Sequence, residues 1–229
     1  MKTVQIDFVS DVACPWCAIG LGGLEQALDK LLGQVDARVT FQPFELNPGM
    51  PPEGENIAEH IQQKYGGGME RFEQSQQMLR ERGAAVGVEF SPAKTHIWNT
   101  FDAHRLLAWA ADEKAGNDAG KQWALKKELL TAYNARAENV SDPEVLIRAA
   151  RKAGLDGERA KAILAGDDYA LDVREAEQEW QRAGINAVPA VVVNRKYLIS
   201  GGQPAAVYEQ ALLKIASETA EEADEQTSE

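Results

Sequence analysis

Val4-Gln5-Ile6-Asp7-Phe8-Val9-Ser10-Asp11-Val12-Ala13-Cys14-Pro15-Trp16-Cys17 alternates apolar and polar residues through Phe8, breaks at Ser10-Asp11, and delivers two thiols to the start of a helical pattern. The alternation predicts a half-buried strand that ends just before the cysteines. Pro15 suits a first helical turn, where its missing N–H would be unpaired in any case, and Leu21, Leu24, Leu28 and Leu31 recur at the spacing of one buried helix face. Gly20, Gly22 and Gly23 each weaken that helix by about 1 kcal/mol relative to alanine, which predicts either close backbone packing or a bend after the first turn.

Cys14 and Cys17 are the two cysteines of the chain. On a first helical turn they can close a small disulfide, while the unpaired N–H groups and the positive end of the macrodipole stabilise a thiolate at the first of them. Cys14 is therefore read as nucleophile and Cys17 as resolving thiol. Helix-end stabilisation reaches about 2 kcal/mol at most, Asp11 opposes it, and the local sequence offers no Lys, Arg or His in compensation. This predicts a moderate thiolate with a reductase-like or isomerase-like poise. The same spacing supplies half of a zinc site, but the other candidate ligands, His60, His96 and His104, fall in a distant helical block, so no metal is expected.

A chain of 229 residues can build one large domain, or a small domain carrying a substantial insertion, without stapling disulfides. A net charge of −12 with no clustered Lys/Arg stripe argues against a nucleic-acid partner. The chain opens on Met1-Lys2-Thr3, enters the first strand without an apolar signal core, and has no run long enough to span a bilayer. The expectation is a cytoplasmic protein with no membrane partner, in which a disulfide is a working bond rather than a brace.

A second strand is predicted over 38–44, with Pro43 marking its end or an edge. From Glu55 to Asp168 helical periods are separated by Gly66-Gly67-Gly68, Ser91-Pro92, Gly116-Asn117-Asp118, Ser141-Asp142-Pro143-Glu144 and Gly154-Leu155-Asp156-Gly157, with no strand signal. Trp98, Phe101, Trp109, Trp123 and Tyr133 supply bulk for a helical core. A helix over 169–183, a strand over 188–193, a turn at Asn194-Arg195-Lys196, a returning strand over 197–199 and a final helix from Pro204 complete the pattern. The order is βαβ, a helical block, then αββα, which predicts an α/β fold with one sheet and a parallel first crossover. Residues 1–54 and 169–216 form the discontinuous sheet domain, 55–168 the all-helical insertion, and 217–229, with six acidic and no basic residues, a disordered tail.

The strand, the Cys-x-x-Cys pair, the helix and the later Val188-Pro189 before a strand together resemble the thioredoxin fold, and the large helical insertion narrows the likeness to its DsbA-like branch. Within that branch, Ser10 to Cys17, Phe44-Glu45-Leu46-Asn47-Pro48, Asn99-Thr100 with Ala103-His104-Arg105-Leu106, and Ile199-Ser200-Gly201-Gly202-Gln203 look like the FrnE-type proteins. The resemblance implies a cytoplasmic thiol-disulfide oxidoreductase acting on protein or small-molecule disulfides. It implies no bound cofactor, with glutathione as a recycling or co-substrate thiol. It also implies that Pro189 is cis and faces the dithiol, that Val188 presents its backbone to an extended substrate, and that Pro15, Trp16, Asn99 and His104 take part in the substrate groove. Bland readings stand beside these: Trp16 packs over the first helix, His104 is a packed or capping residue without a local charge partner, and Asp11 caps a loop rather than activating Cys17. Ala190 stands where Thr commonly follows the proline in relatives, and a further cysteine pair carried by some relatives is missing.

A competing reading is a glutathione-dependent isomerase or transferase of the kappa or hydroxychromene-carboxylate isomerase type, which shares the insertion architecture. Retention of both Cys14 and Cys17 favours exchange chemistry, because an enzyme that only activates glutathione has no use for a resolving thiol. A third reading is a partner-binding module whose cysteines merely sense oxidation.

Overall fold

In the computed structural model, which describes residues 2–51, 53–66 and 68–226, the strand and helix at the dithiol form as the pattern predicts: β1 is Lys2–Ser10 and α1 is Pro15–Lys30. β2 (Val35–Pro43) returns parallel to β1, with Lys2 opposite Val35 and Ser10 opposite Pro43. After the insertion, β5 (Ala190–Val193) runs antiparallel to β1, with Phe8 opposite Val191, and β6 (Tyr197–Ser200) pairs antiparallel with β5. The four-stranded order is β2-β1-β5-β6.

The period-two alternation of the strands sorts the two faces of this sheet. Val4, Ile6, Phe8, Val191 and Val193 point to one side, where α1 and the last helix, α9 (Ala205–Gln226), bury Leu21, Leu24, Tyr208, Leu212 and Ile215 against them. Val9, Ala190 and Val192 point to the other, against Trp180 of α8 (Ala170–Arg182) and Ile185. The α1 glycines serve close approach rather than a bend: a Cβ on Gly23 would stand 2.4 Å from the Gln203 carbonyl oxygen, and one on Gly22 would stand 2.8 Å from that of Val86.

Between β2 and α8 lie β3 (Glu55–Asn56), α2 (Ile57–Tyr65), α3 (Gly68–Ala84), β4 (His96–Ile97), α4 (Phe101–Ala110), α5 (Ala119–Asn134), α6 (Pro143–Lys152) and α7 (Gly157–Ala165). Leu106, Leu125, Leu129, Leu146 and Ile163 build the insertion's core, and Val12 and Ala13, from the approach to the dithiol, belong to the same cluster. The strand signal expected to be absent here is present as a ladder of two residues on each side, Glu55 opposite Ile97 and Asn56 opposite His96. Two residues cannot display an alternation, so this ladder leaves no trace in the hydropathy pattern. α6 starts at Pro143 and is capped by Asp142, which accepts from the Glu144 N–H at 2.9 Å, while Ser141 Oγ donates to Asn139 Oδ1.

The acidic tail departs from expectation as well. α9 continues to Gln226, so 217–226 is helical rather than frayed, and 227–229 lie outside the described residues. The extension propagates from a buried stretch ending at Ala216, through Ala, Glu and Gln residues of good helix propensity, and Glu218 accepts from the Tyr197 hydroxyl at 2.9 Å.

Candidate active site

Cys14 is the residue on which α1 is capped. Its backbone is extended (φ −85°, ψ 114°), Pro15 opens the helix, and the N–H groups of Cys17 and Ala18 both point to the Cys14 carbonyl, at 3.1 and 3.4 Å. This turn brings the two sulfurs onto one helix end, where both are free thiols. Both are also buried, Cys14 at 3% exposure and Cys17 at 0%. Burial, followed by the hydrogen bond and charge of Cys14, pushes the Cys17 thiol well above the ordinary thiol range, while the Lys126 charge pulls it down. From the other side, the Cys14 thiol donates to the Val188 carbonyl oxygen at 3.7 Å, and the Val188-Pro189 peptide bond is cis. Pro189 itself packs against α1, its Cγ 3.2 Å from where a Cβ of Gly20 would lie. Its carbonyl accepts from the Gly201 N–H at 2.8 Å.

Asp11 sits directly beneath. It is 1% exposed, one carboxylate oxygen accepting from the Ala13 N–H at 3.1 Å and the other from the Leu46 N–H at 2.7 Å. His104 Nε2 stands 3.5 Å from the first of these oxygens, at ion-pair distance but without hydrogen-bond alignment. Burial pushes the Asp11 carboxyl up, yet His104 and the two backbone donors outweigh it and hold the group below the usual carboxylate range. Asp11 therefore fixes the loop before the dithiol, and His104 has the charge partner that its own sequence neighbourhood lacks.

The Phe44-Glu45-Leu46-Asn47-Pro48 block, joined to Asp11 through the Leu46 N–H, contributes a second ionic cluster. Glu45 pairs with Arg174 of α8, which also reaches Glu177 at 2.9 Å and lies 3.9 Å from the Phe101 ring centroid. Burial pushes the Glu45 carboxyl up, Arg174 pulls it back, and the neighbouring Glu177 leaves the net direction upward.

A cavity of about 680 Å³ opens beside Cys14. Pro15, Trp16 and Val188 are among the residues that line it, with Phe44, Phe72 and Tyr133 as further apolar wall and Lys64, Arg71 and Lys94 as cations. Trp16 thus rims the cavity and also packs against the sheet core. Asn99 and His104 are not among the lining residues, which corrects their expected place in the groove. Asn99 spans from the Met50 carbonyl, at 3.3 Å, to the Phe101 N–H, at 2.9 Å, and His104 is sealed at 2% exposure. Asn99 precedes α4 and ties that entry to Met50, while His104, on α4, reaches Asp11 in the loop before the dithiol.

Lys94 and Lys126 are the residues that sequence reasoning missed. Lys94 donates to the Asn134 side chain at 3.0 Å and lies 4.3 Å from the Tyr133 ring centroid; burial lowers it to about 8, with charge on Cys14 acting the other way. Lys126 is wholly buried. Its only sequence signal is a lysine on the same helical face as Gln122, Leu129 and Tyr133, where a solvated cation would not fit. Among the described residues, no three His, Cys, Asp or Glu side chains are grouped as metal ligands, and no helix is long and apolar enough to cross a membrane.

Comparison with known proteins bears on the same features. Residues 5–213 match the DSBA-like thioredoxin domain. The probable DsbA oxidoreductase SCO1869 from Streptomyces coelicolor is 34% identical, and its crystal structure superposes with a TM-score of 0.82 over 92% of this chain and 89% of that one. The protein YwbO of Bacillus subtilis (strain 168) is 26% identical over 211 residues, 92% of this chain and 96% of YwbO. A 2-hydroxychromene-2-carboxylate isomerase shares the fold, with a TM-score of 0.67 at 14% identity over 95% of this chain and 98% of that one.

Proposed function

Because the chain belongs to the DsbA-like oxidoreductase family, we propose that it is a thiol-disulfide oxidoreductase of the FrnE type, working through Cys14 and Cys17 in the cytoplasm. The observation that carries this reading is the placement of Cys14: at the N-terminus of α1, against the Val188 carbonyl, at the edge of a cavity. The Cys14 thiolate attacks a substrate disulfide, the leaving sulfur departs as thiolate, and a mixed disulfide remains. Cys17 then attacks Cys14, releasing the second substrate sulfur. The dithiol loses two electrons and the substrate disulfide gains them; the reverse sequence oxidises a dithiol substrate. Lys64, Arg71 and Lys94 in the cavity wall favour disulfides that carry carboxylates, whether on a protein or on a small thiol such as glutathione.

Insulin reduction by dithiothreitol tests the assignment. The protein should accelerate precipitation, Cys14→Ser should abolish the acceleration, and Cys17→Ser should accumulate a mixed disulfide on Cys14. An inert wild-type protein that instead isomerises a chromene carboxylate with glutathione, and does so equally well as Cys17→Ser, would replace exchange with glutathione-dependent isomerisation. Equilibration against glutathione buffers reads the direction: a potential near that of thioredoxin, roughly −270 mV, fits a reductase, and one near −120 mV makes the protein an oxidant.

A further inference from the structure

The cations of the cavity wall are not equivalent. Lys64 on α2 and Arg71 on α3 are exposed residues, so water and salt screen the charge of each. The Lys64 ammonium is also shared between the Leu46 carbonyl at 3.2 Å and Asn47 Oδ1 at 2.8 Å. Lys94 differs. It stands half-buried in the loop between α3 and β4, in a turn pinned to the end of α5. There the Ser91 N–H donates to the Asn134 carbonyl at 2.8 Å, and the Lys94 N–H to the Ser91 carbonyl at 3.3 Å. The Lys94 side chain meets the same helix end, Nζ donating to Asn134 Oδ1 at 3.0 Å and lying 4.3 Å from the Tyr133 ring centroid. Asn134 is itself fixed, its Nδ2 donating to the Leu130 carbonyl at 3.0 Å.

An ammonium has three N–H donors, and among the described residues Asn134 Oδ1 is the one acceptor that Lys94 has. The unused donors belong to a side chain that lines the same cavity as Cys14. An ion pair gains most where water screens least, so of the three cations Lys94 is the one at which a ligand carboxylate is held most firmly.

We propose that Lys94 is the specificity residue of the exchange site, binding a carboxylate of the disulfide whose sulfur meets Cys14 and so selecting anionic disulfides over neutral ones of the same size. The inference rests on the exchange reading above, and it assigns to one side chain what the charge of the cavity favours only in general. Asn134 and Tyr133 hold the ammonium, and the substrate carboxylate takes its open donors. The selectivity has a pH dependence of definite sign. A carboxylate keeps its charge above about pH 6. Burial lowers Lys94 to about 8, with charge on Cys14 acting the other way, so the attraction is full below that value and fades as pH rises through it. The other ionisable groups that face Lys94 or share its cavity do not imitate this. Tyr133 on α5 is pushed up by burial and stays a neutral phenol. Glu45, after β2, is paired with Arg174, and His60 on α2 with Glu55. Lys64 and Arg71 act through solvent, and Cys14 on α1 attacks either kind of disulfide as the same thiolate.

A ratio of rates tests the assignment, because it cancels every effect on the Cys14 thiolate itself. Reduced protein is mixed with dithiodiglycolate, which carries a carboxylate on each arm, or with hydroxyethyl disulfide, its neutral counterpart of equal length. Second-order loss of free thiol is followed by acid quench and alkylation, each rate scaled to the reaction of the same disulfide with mercaptoethanol. The anionic disulfide should react about tenfold or more faster near pH 7. That advantage should shrink with an inflection near 8, since a second-order constant reports the free protein. Lys94→Met should bring the ratio to about one at every pH, whereas Lys94→Arg should keep the preference and carry it beyond about pH 9, where a guanidinium is still charged. A preference that survives Lys94→Met, or a wild-type ratio that stays flat between about pH 7 and 10, overturns the proposal. The wild-type profile decides alone if the methionine variant fails to fold. If neither disulfide oxidises the protein, the exchange reading falls and calorimetry still judges Lys94. With both cysteines changed to serine, dithiodiglycolate should bind about tenfold more tightly than hydroxyethyl disulfide, and adding Lys94→Met should remove the difference. Equal affinities before that substitution overturn the proposal as well.

Discussion

Asp11 lies three residues before Cys14, and along the chain it looks like a charge that works against a thiolate. In the folded protein its charge is already committed, to the Leu46 and Ala13 N–H groups and to His104. The consequence is structural and has a pH signature. Because the folded carboxyl lies below its ordinary value of 3.8, the stability it contributes is fully present above that pH and is lost as pH falls through the depressed folded value. Asp11→Asn should therefore cost about 2–3 kcal/mol in urea denaturation at pH 6, and the gap to wild type should shrink as pH drops toward 3. A cost that stays constant over that interval would show that the charge of Asp11 contributes nothing. The thiols were legible from the sequence because their spacing is local. Lys126, Lys94 and the His104 partner were not, because each meets the site across more than ninety intervening residues or from a separate loop, and nothing in residue order records that approach.

At the scale of elements, the strands and helices that carry long hydrophobic periods stand where the pattern puts them, whereas features without a period do not show. β3 and β4 are too short to alternate, and α9 outruns its apolar stripe because good helix formers extend a helix already nucleated by packing. The glycines of α1 illustrate what propensity omits. Each glycine weakens the helix by about 1 kcal/mol, so propensity alone expects Gly23→Ala to stabilise the protein. The backbone says otherwise, since the new Cβ would meet the Gln203 carbonyl oxygen at 2.4 Å, and a backbone oxygen cannot swing aside as a flexible side chain can. Gly23→Ala should lower stability by roughly 1–3 kcal/mol, as overpacked cores do, and it should displace the 201–203 segment that borders Pro189. A chemical-denaturation midpoint at or above wild type would mean that α1 and this segment can separate without loss.

For the whole molecule, the change from alternating to helical patterning near Glu55 separates two lobes on paper, yet their cores interlock at the dithiol. Val12 and Ala13 belong to the insertion's cluster, Cys14 and Cys17 to the sheet's, so the six-residue stretch 12–17 serves both. Gln122 closes the other side by occupying both hydrogen-bonding groups of Phe41 on the outer strand β2, an edge otherwise open to pairing with another chain. Shared residues and a covered edge couple the lobes energetically, because neither can open without stranding buried polar groups of the other. Thermal unfolding should then be one transition, with calorimetric and van't Hoff enthalpies in agreement. Gln122→Ala leaves the Phe41 N–H and carbonyl unpaired in the core, and should lower Tm by roughly 5–10 °C while keeping the transition single. Two resolved transitions in the wild-type protein, or a split appearing in the variant with the first at an unchanged temperature, would mean that the helical insertion and the sheet are independent folding units.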